Sequence, residues 1–292
     1  MAATPTVRQR RLGAELRRLR EQLGPTVEEV ATRLAWSPSK LSRIENARIG
    51  VRVSDVRLLL DLYEVDEGHI REILALAEAA TQRGWWSRYQ RVLPEGFAKF
   101  VALEDEANAA LCYATYTLPG LLQDEEYARW TLESSRAVTA DTPHEISRRV
   151  ELRMRRQELL FRKVNPLTLT AIIDESILQR VIGNRNVMRR QMFKLITLAE
   201  LPNVNIQVLP LGIHREPVIG EAFILLKFLP AYEVTFPNVI YIDNSWMASA
   251  EFQDDALTHR YERSWHALKE AALSPQDSIQ RISHLERERW FP

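Results

Sequence analysis

The stretch from Thr26 to Asn46, TVEEVATRLAWSPSKLSRIEN, constrains this chain more than any other. Thr26 with Glu29 three positions later forms a capping box, which opens a helix. Val30, Ala31 and Leu34 give that helix an inward stripe, and a tight turn follows through Ala35 and Trp36. Ser37 is a good N-cap, and Pro38 suits the first helical position, where no N–H is needed. Leu41 and Ile44 lie three apart and face inward. Ser39, Lys40, Ser42, Arg43 and Asn46 are left pointing mainly outward. Two short helices around a tight turn, the second with a small, polar and basic outer face, have the form of a helix-turn-helix. A helix of that kind enters a DNA major groove with its first turns against the base edges.

The flanks agree with this reading. Leu12, Leu16, Leu19 and Leu23 form a helical apolar stripe before the motif, and Val56, Leu59, Leu60 and Tyr63 form another after it. Five helices over residues 7–81 are expected to enclose one small core. An ordinary helical bundle with a merely solvated basic face would show the same stripes. The agreement of start signals, turn and outward polar set favours the DNA reading. Charge points the same way. Residues 1–60 carry 12 Lys/Arg and 6 Asp/Glu, a net of +6, while the whole chain is neutral with 39 of each. A basic N-terminal module on an acidic body fits a DNA binder whose other domain has a different task.

The length of 292 residues suggests two domains. The patterning predicts a helix-turn-helix domain at 7–81, an aromatic-rich connector at 82–123, and an α+β domain at 124–292, for which ligand or partner binding and dimerisation are the roles to weigh. The first residues, to about 6, are expected to be a frayed tail. Helices are predicted near 101–112, 124–137, 143–163, 175–182, 185–200, 254–272 and 274–288. Strands are predicted at 165–174, 204–211, 221–229 and 238–243, about four in one sheet. The fold class is therefore an all-α five-helix domain followed by an α+β domain. Short connections favour hairpin pairing of the last strands. The first residues hold no apolar signal segment. The richest apolar run, AFILLKFLPA at 222–231, is half a membrane span and contains Lys227, so no membrane association is expected.

Enzyme signatures are missing from the pattern. No Gly-rich phosphate loop, nucleophile elbow or dinucleotide fingerprint is present, and only ten glycines supply material for one. His69, His144, His214, His259, His266 and His284 match no zinc arrangement. Glu262 and His266, like His259 and Arg263, lie one helical turn apart. An exposed polar helix face explains both pairs better than a metal or acid–base site does. Asp174-Glu175 reads as a strand exit and N-cap rather than as paired catalytic carboxylates. No catalytic residue, metal ligand or cofactor is expected. The lone Cys112 suits a small core residue in a reducing cytoplasm. Trp85, Trp86, Tyr89, Phe97, Tyr113 and Tyr116 cluster between the two domains in sequence. They form either a packing hinge or a site for a planar small molecule.

The string SPSKLSRIEN, within a match over residues 10–65, resembles the xenobiotic-response-element class of bacterial regulators, with a lambda-repressor-like helix-turn-helix. The resemblance implies that the helix from Pro38 is the recognition helix, with Pro38, Ser39, Lys40 and Arg43 at base-contacting positions. Asn46, Arg48 and Arg52 match the following loop, which contacts phosphates. Ser37 and Ser42 complete the expected DNA-binding set, and Arg17 and Arg18 are further phosphate contacts. Three positions depart from the family: Val27 replaces its usual Gln, Ala35 its turn Gly, and Asn46-Ala47 its Asn-Gly. An Ala35 with positive φ would cost about 1 kcal/mol relative to Gly. RGWW at 83–86, LPGLLQDEEYA at 118–128, RRQELLFR at 155–162 and LAELPNVNIQVLP at 198–210 are similar, in that order, to one family of helix-turn-helix regulators with a long C-terminal domain. Many of its members are described as antitoxin-like and encoded beside a small partner protein. The expected function is thus a cytoplasmic, sequence-specific transcription regulator. Its expected partners are a palindromic double-stranded DNA operator, a second copy of the chain in a homodimer, a small antitoxin- or toxin-type protein, and a small-molecule effector.

Overall fold

The computed structural model describes residues 6–81, 84–212, 221–230, 236–242, 250–252 and 255–290. The expected tail at 1–5, His214 and the outer ends of two predicted elements, Asp243 and Asp254, lie outside the described residues. The chain divides into two compact units. One comprises Met1–Ser87 with Leu229–Phe236, the other Arg88–Phe228 with Pro237–Pro292. Among the described residues no helix is long and apolar enough to cross a membrane.

Among its described residues the N-terminal unit has five α-helices: α1 (Val7–Leu23), α2 (Val27–Arg33), α3 (Pro38–Glu45), α4 (Val53–Leu62) and α5 (Glu67–Thr81). Capping boxes at Thr6/Gln9 and Thr26/Glu29 open α1 and α2. Ser37 accepts from the Lys40 N–H, and Pro38 begins α3. One core joins Leu12, Leu16, Val30, Leu41, Ile44, Val56, Leu59, Leu60, Tyr63, Ile70 and Ile73.

Three of these helices end in the same way. Trp36 N–H donates to Ala31 C=O at 2.8 Å, and Ala35 N–H to Thr32 C=O at 3.2 Å. This is the Schellman pattern, and it puts Ala35 in the left-handed region at φ 54°. α3 repeats it with Ala47 at φ 52°, and α4 with Glu64 at φ 54°. Each position favours glycine, and none has one.

A 3₁₀ helix (Trp85–Val92) is followed, in the second unit, by α6 (Glu95–Glu106). Its sheet contains β1 (Ala109–Ala114), β2 (Thr168–Asp174), β3 (Val204–Leu209), β4 (Phe223–Lys227), β5 (Val239–Ile242) and β6 (Ala250–Phe252). Between β1 and β2 run α7 (Glu125–Ser134), α8 (Arg136–Thr139) and α9 (Pro143–Arg156). α10 (Glu175–Gln179) and α11 (Arg185–Leu198) precede β3, and α12 (Asp255–Ala271) and α13 (Pro275–Leu285) follow β6. The strand order is β3-β2-β1-β4-β5-β6. β1, β2 and β3 are parallel, while β4, β5 and β6 pair antiparallel as the short connections predicted.

Among the described residues the sheet therefore has six strands, the four expected and two more. The two unpredicted strands have clear causes. β1, AALCYA, was expected to continue a helix over 101–112, because alanine favours helix and no polar residue alternates with the apolar ones. It lies between two neighbours, β2 and β4, where an apolar run without alternation is the rule. β6 is only three residues long, too short for any period. The segment 82–123, expected as a connector, thus supplies α6 and an interior strand of the sheet.

Candidate nucleic-acid interface

The third helix, α3, is fixed from beneath. Leu41 and Ile44 are buried in the five-helix core, and Glu45 beside them is 6% exposed. The Glu45 carboxylate takes both prongs of Arg20 on α1, at 2.7 and 3.0 Å. This bidentate bond keeps the Arg20 guanidinium firmly charged, its pKa raised against the opposing effect of burial. Arg20 also donates to Pro25 C=O at 3.1 Å, which ties α1 to the approach to α2. Tyr63 lies near the same pair; burial first, and then the Glu45 charge, push its ionisation well above the usual phenol range.

Close contact between α1 and α3 depends on Gly13. A Cβ built there would lie 2.6 Å from Glu45 O and 2.8 Å from Ile44 O, both backbone atoms. Arg20, Glu45 and Gly13 were not singled out in the sequence, since a glycine within a helix and an isolated long-range ion pair leave no periodic signal.

The outer face of α3 carries the expected set. Ser37, Pro38, Ser39, Arg43, Asn46, Arg48 and Arg52 are exposed, and Ser42 and Lys40 are half-buried. Asn46 caps the helix, its Nδ2 donating to Ser42 C=O at 2.8 Å. Among the described residues, Arg43, Arg48 and Arg52 form no ion pair. Arg43 makes only a long 3.4 Å bond to Ser39 C=O. Three free guanidiniums on one helix and the loop after it form an electropositive surface suited to phosphate and base-edge acceptors.

Lys40 is different. Its Nζ sits 3.0 Å from Asp55 Oδ2 on α4 and 3.5 Å from the centre of the Trp36 ring. Arg17 and Arg18 are also engaged, Arg17 with Glu21 and Arg18 with Glu15, each at 2.7 Å.

The six aromatics weighed as a cluster divide between the two units, Trp85 and Trp86 in the first and Tyr89, Phe97, Tyr113 and Tyr116 in the second. Trp85 and Trp86 meet edge to face at 6.0 Å in the N-terminal unit. Tyr89 is fully buried and donates to Glu151 at 2.8 Å, with Arg88 and Arg148 against its ring. That hydrogen bond is the first cause of the lowered Glu151 pKa. Phe97 packs on Phe100 and Tyr241, whereas Tyr113 packs on Phe223. Tyr113 pairs across the sheet with Phe223, and Tyr241 with the next residue, Ile224, so the two clusters lie on opposite faces. The sheet stands between Phe97 and Tyr113, so these two rings do not line one surface. The reason is β1, whose course through this segment was not legible. Tyr116 alone is largely exposed, at 65%, with the Arg180 guanidinium 4.6 Å from its ring centre.

The other residues weighed for chemistry have ordinary partners. Glu262 accepts from Asn238 at 3.2 Å and faces Lys227 at 3.4 Å, while His259, Arg263 and His266 are exposed. Asp174 caps α10 through Ser176 N–H at 2.9 Å. Glu175 is buried and accepts from Arg281 and from Leu211 N–H. Burial pushes the Cys112 thiol up to about 12. No group of three or more His, Cys, Asp or Glu suited to a metal ion occurs among the described residues.

The fold and this surface define a helix-turn-helix module, and residues 11–73 match the family described as a helix-turn-helix domain. That match supports a DNA-binding regulator. Residues 97–284, well over half the chain, match the domain of unknown function (DUF5753), and the chain belongs to that family. No curated protein and no solved structure matches the chain.

Proposed function

We propose that the chain is a sequence-specific transcription regulator of the xenobiotic-response-element class, working in the cytoplasm as a homodimer on a roughly palindromic operator. The single observation behind this reading is the outer face of α3 and the loop after it, where Arg43, Arg48 and Arg52 stand exposed with no carboxylate partner among the described residues. Two copies would present recognition helices to successive major grooves, about 34 Å apart. Arg43 reads a base edge, with Ser39 beside it. Ser37, Asn46, Arg48 and Arg52 hold the phosphate backbone. No catalytic role is assigned to any residue, and no cofactor is required.

Selection of bound duplex from a random pool tests the reading. A recovered site with two-fold symmetry supports it, and a pool that never enriches refutes it. In the same assay Arg43→Ala should lose about 1–3 kcal/mol and accept more bases at one position. Unchanged affinity and selectivity in that variant would remove Arg43 from base reading.

The C-terminal unit is assigned to dimerisation and to docking a small antitoxin-type partner. A chain that stays solitary when co-expressed with the product of a neighbouring small gene would count against the docking role. A second reading gives this unit a small-molecule effector. The exposed Tyr116 under Arg180 favours it, because that pair offers a stacking face and a cation together. A planar anion that raises the melting temperature of the wild type but not of Tyr116→Ala would support it.

A further inference from the structure

Lys40 lies on the recognition helix, yet its ammonium faces Asp55 and the Trp36 ring, at 3.0 and 3.5 Å. These two partners flank α3 in the sequence. Trp36 belongs to the turn before it, and Asp55 to the first turn of α4. Trp36 is itself packed on the five-helix core and held by its N–H bond to Ala31 C=O. Asp55 sits at a helix N-terminus, where a carboxylate is favoured. The side chains of Lys40 and Asp55 are 32% and 21% exposed, so the pair is partly withdrawn from solvent. The neighbouring cations Arg43, Arg48 and Arg52 have no such holder among the described residues.

We propose that Asp55 is a positioning residue that withholds Lys40 from sequence-independent phosphate contact. The inference rests on the DNA-binding reading and deepens it. A lysine on a recognition helix would otherwise release a counterion on any duplex, since every sequence presents the same phosphates. With the ammonium occupied by Asp55 and Trp36, that contact requires breaking an existing pair. Non-specific phosphate contact then falls mainly to Arg48 and Arg52, and Lys40 serves the turn as a scaffold element.

The test measures affinity of the full chain for a random-sequence duplex across a salt series. Asp55→Asn should raise that affinity about two- to fivefold, the factor expected from a partly exposed ion pair. It should also steepen the slope of log K against log salt by about 0.9, one more phosphate contact. Lys40→Ala in the wild type should leave the slope unchanged. Asp55→Glu, which restores the carboxylate, should return wild-type behaviour. In the Lys40→Ala background, Asp55→Asn should no longer steepen the slope. A slope that steepens equally without Lys40 would overturn the proposal, because Asp55 would then act only as a general negative charge. A wild-type slope that Lys40→Ala flattens by about 0.9 would also overturn it, because Lys40 would already be on the DNA. The DNA-binding reading survives either result if Arg48→Ala still weakens binding. It fails, and the proposal with it, if the wild type binds no duplex at any salt.

Discussion

Replacing Ala35 by glycine should stabilise the helix-turn-helix. Ala35 is the left-handed residue that ends α2, at φ 54°. An L-residue with a Cβ loses about 1–2 kcal/mol there. Glycine removes that strain but adds freedom to the unfolded chain, worth about 0.4–1 kcal/mol in the opposite direction. Ala35 is exposed, so deleting its methyl gives up little buried surface. The net gain is about 0.5–1 kcal/mol. Ala47 makes a sharp comparison, because it has nearly the same φ of 52° but is only 6% exposed. Losing that buried methyl costs about 0.8 kcal/mol, so Ala47→Gly should be close to neutral. Hydrogen exchange on the full chain reads the difference directly. Amides of α2 and α3 should exchange about two- to fivefold more slowly in Ala35→Gly and at an unchanged rate in Ala47→Gly. Equal rates in Ala35→Gly and wild type, or faster exchange in the variant, would refute the reasoning from backbone strain.

Gly13→Ala should destabilise the N-terminal unit by about 1–3 kcal/mol, visible as faster exchange in α1 and α3, because the new Cβ meets backbone oxygens that cannot swing away. Glu45→Ala leaves Arg20 charged and largely enclosed, and should cost about 3 kcal/mol or more in chemical denaturation. Arg48→Ala should weaken binding to all duplexes alike and flatten the salt slope by about 0.9, whereas loss confined to the operator would contradict its phosphate role. Cys112 should resist alkylation in the native state at pH 8, since burial holds the thiol protonated up to about 12, and should react at once when unfolded. Rapid labelling of the native chain would contradict its enclosure.

The sequence alone determined the N-terminal unit because its signals are local. Capping residues, the proline at the start of α3 and apolar stripes at helical spacing act within a few residues of one another. The strained end of α2 was anticipated at Ala35, as a departure from the glycine that the family resemblance leads one to expect, whereas the strain at Ala47 was not. The outward face of α3 followed from periodicity, and Arg43 stands exposed where the spacing put it, whereas Arg48 and Arg52 were singled out only through the family resemblance. Tertiary structure decided whatever depends on a distant neighbour. AALCYA becomes a strand only because β2 and β4 supply its hydrogen bonds. Lys40 reads as a free cation until α4 brings Asp55 to within 3.0 Å of it. Phe97 and Tyr113, sixteen positions apart, are separated by the sheet that forms between them. A period of two or 3.6 residues reports which face of an element is buried, but the partner that buries it is set by the long-range fold.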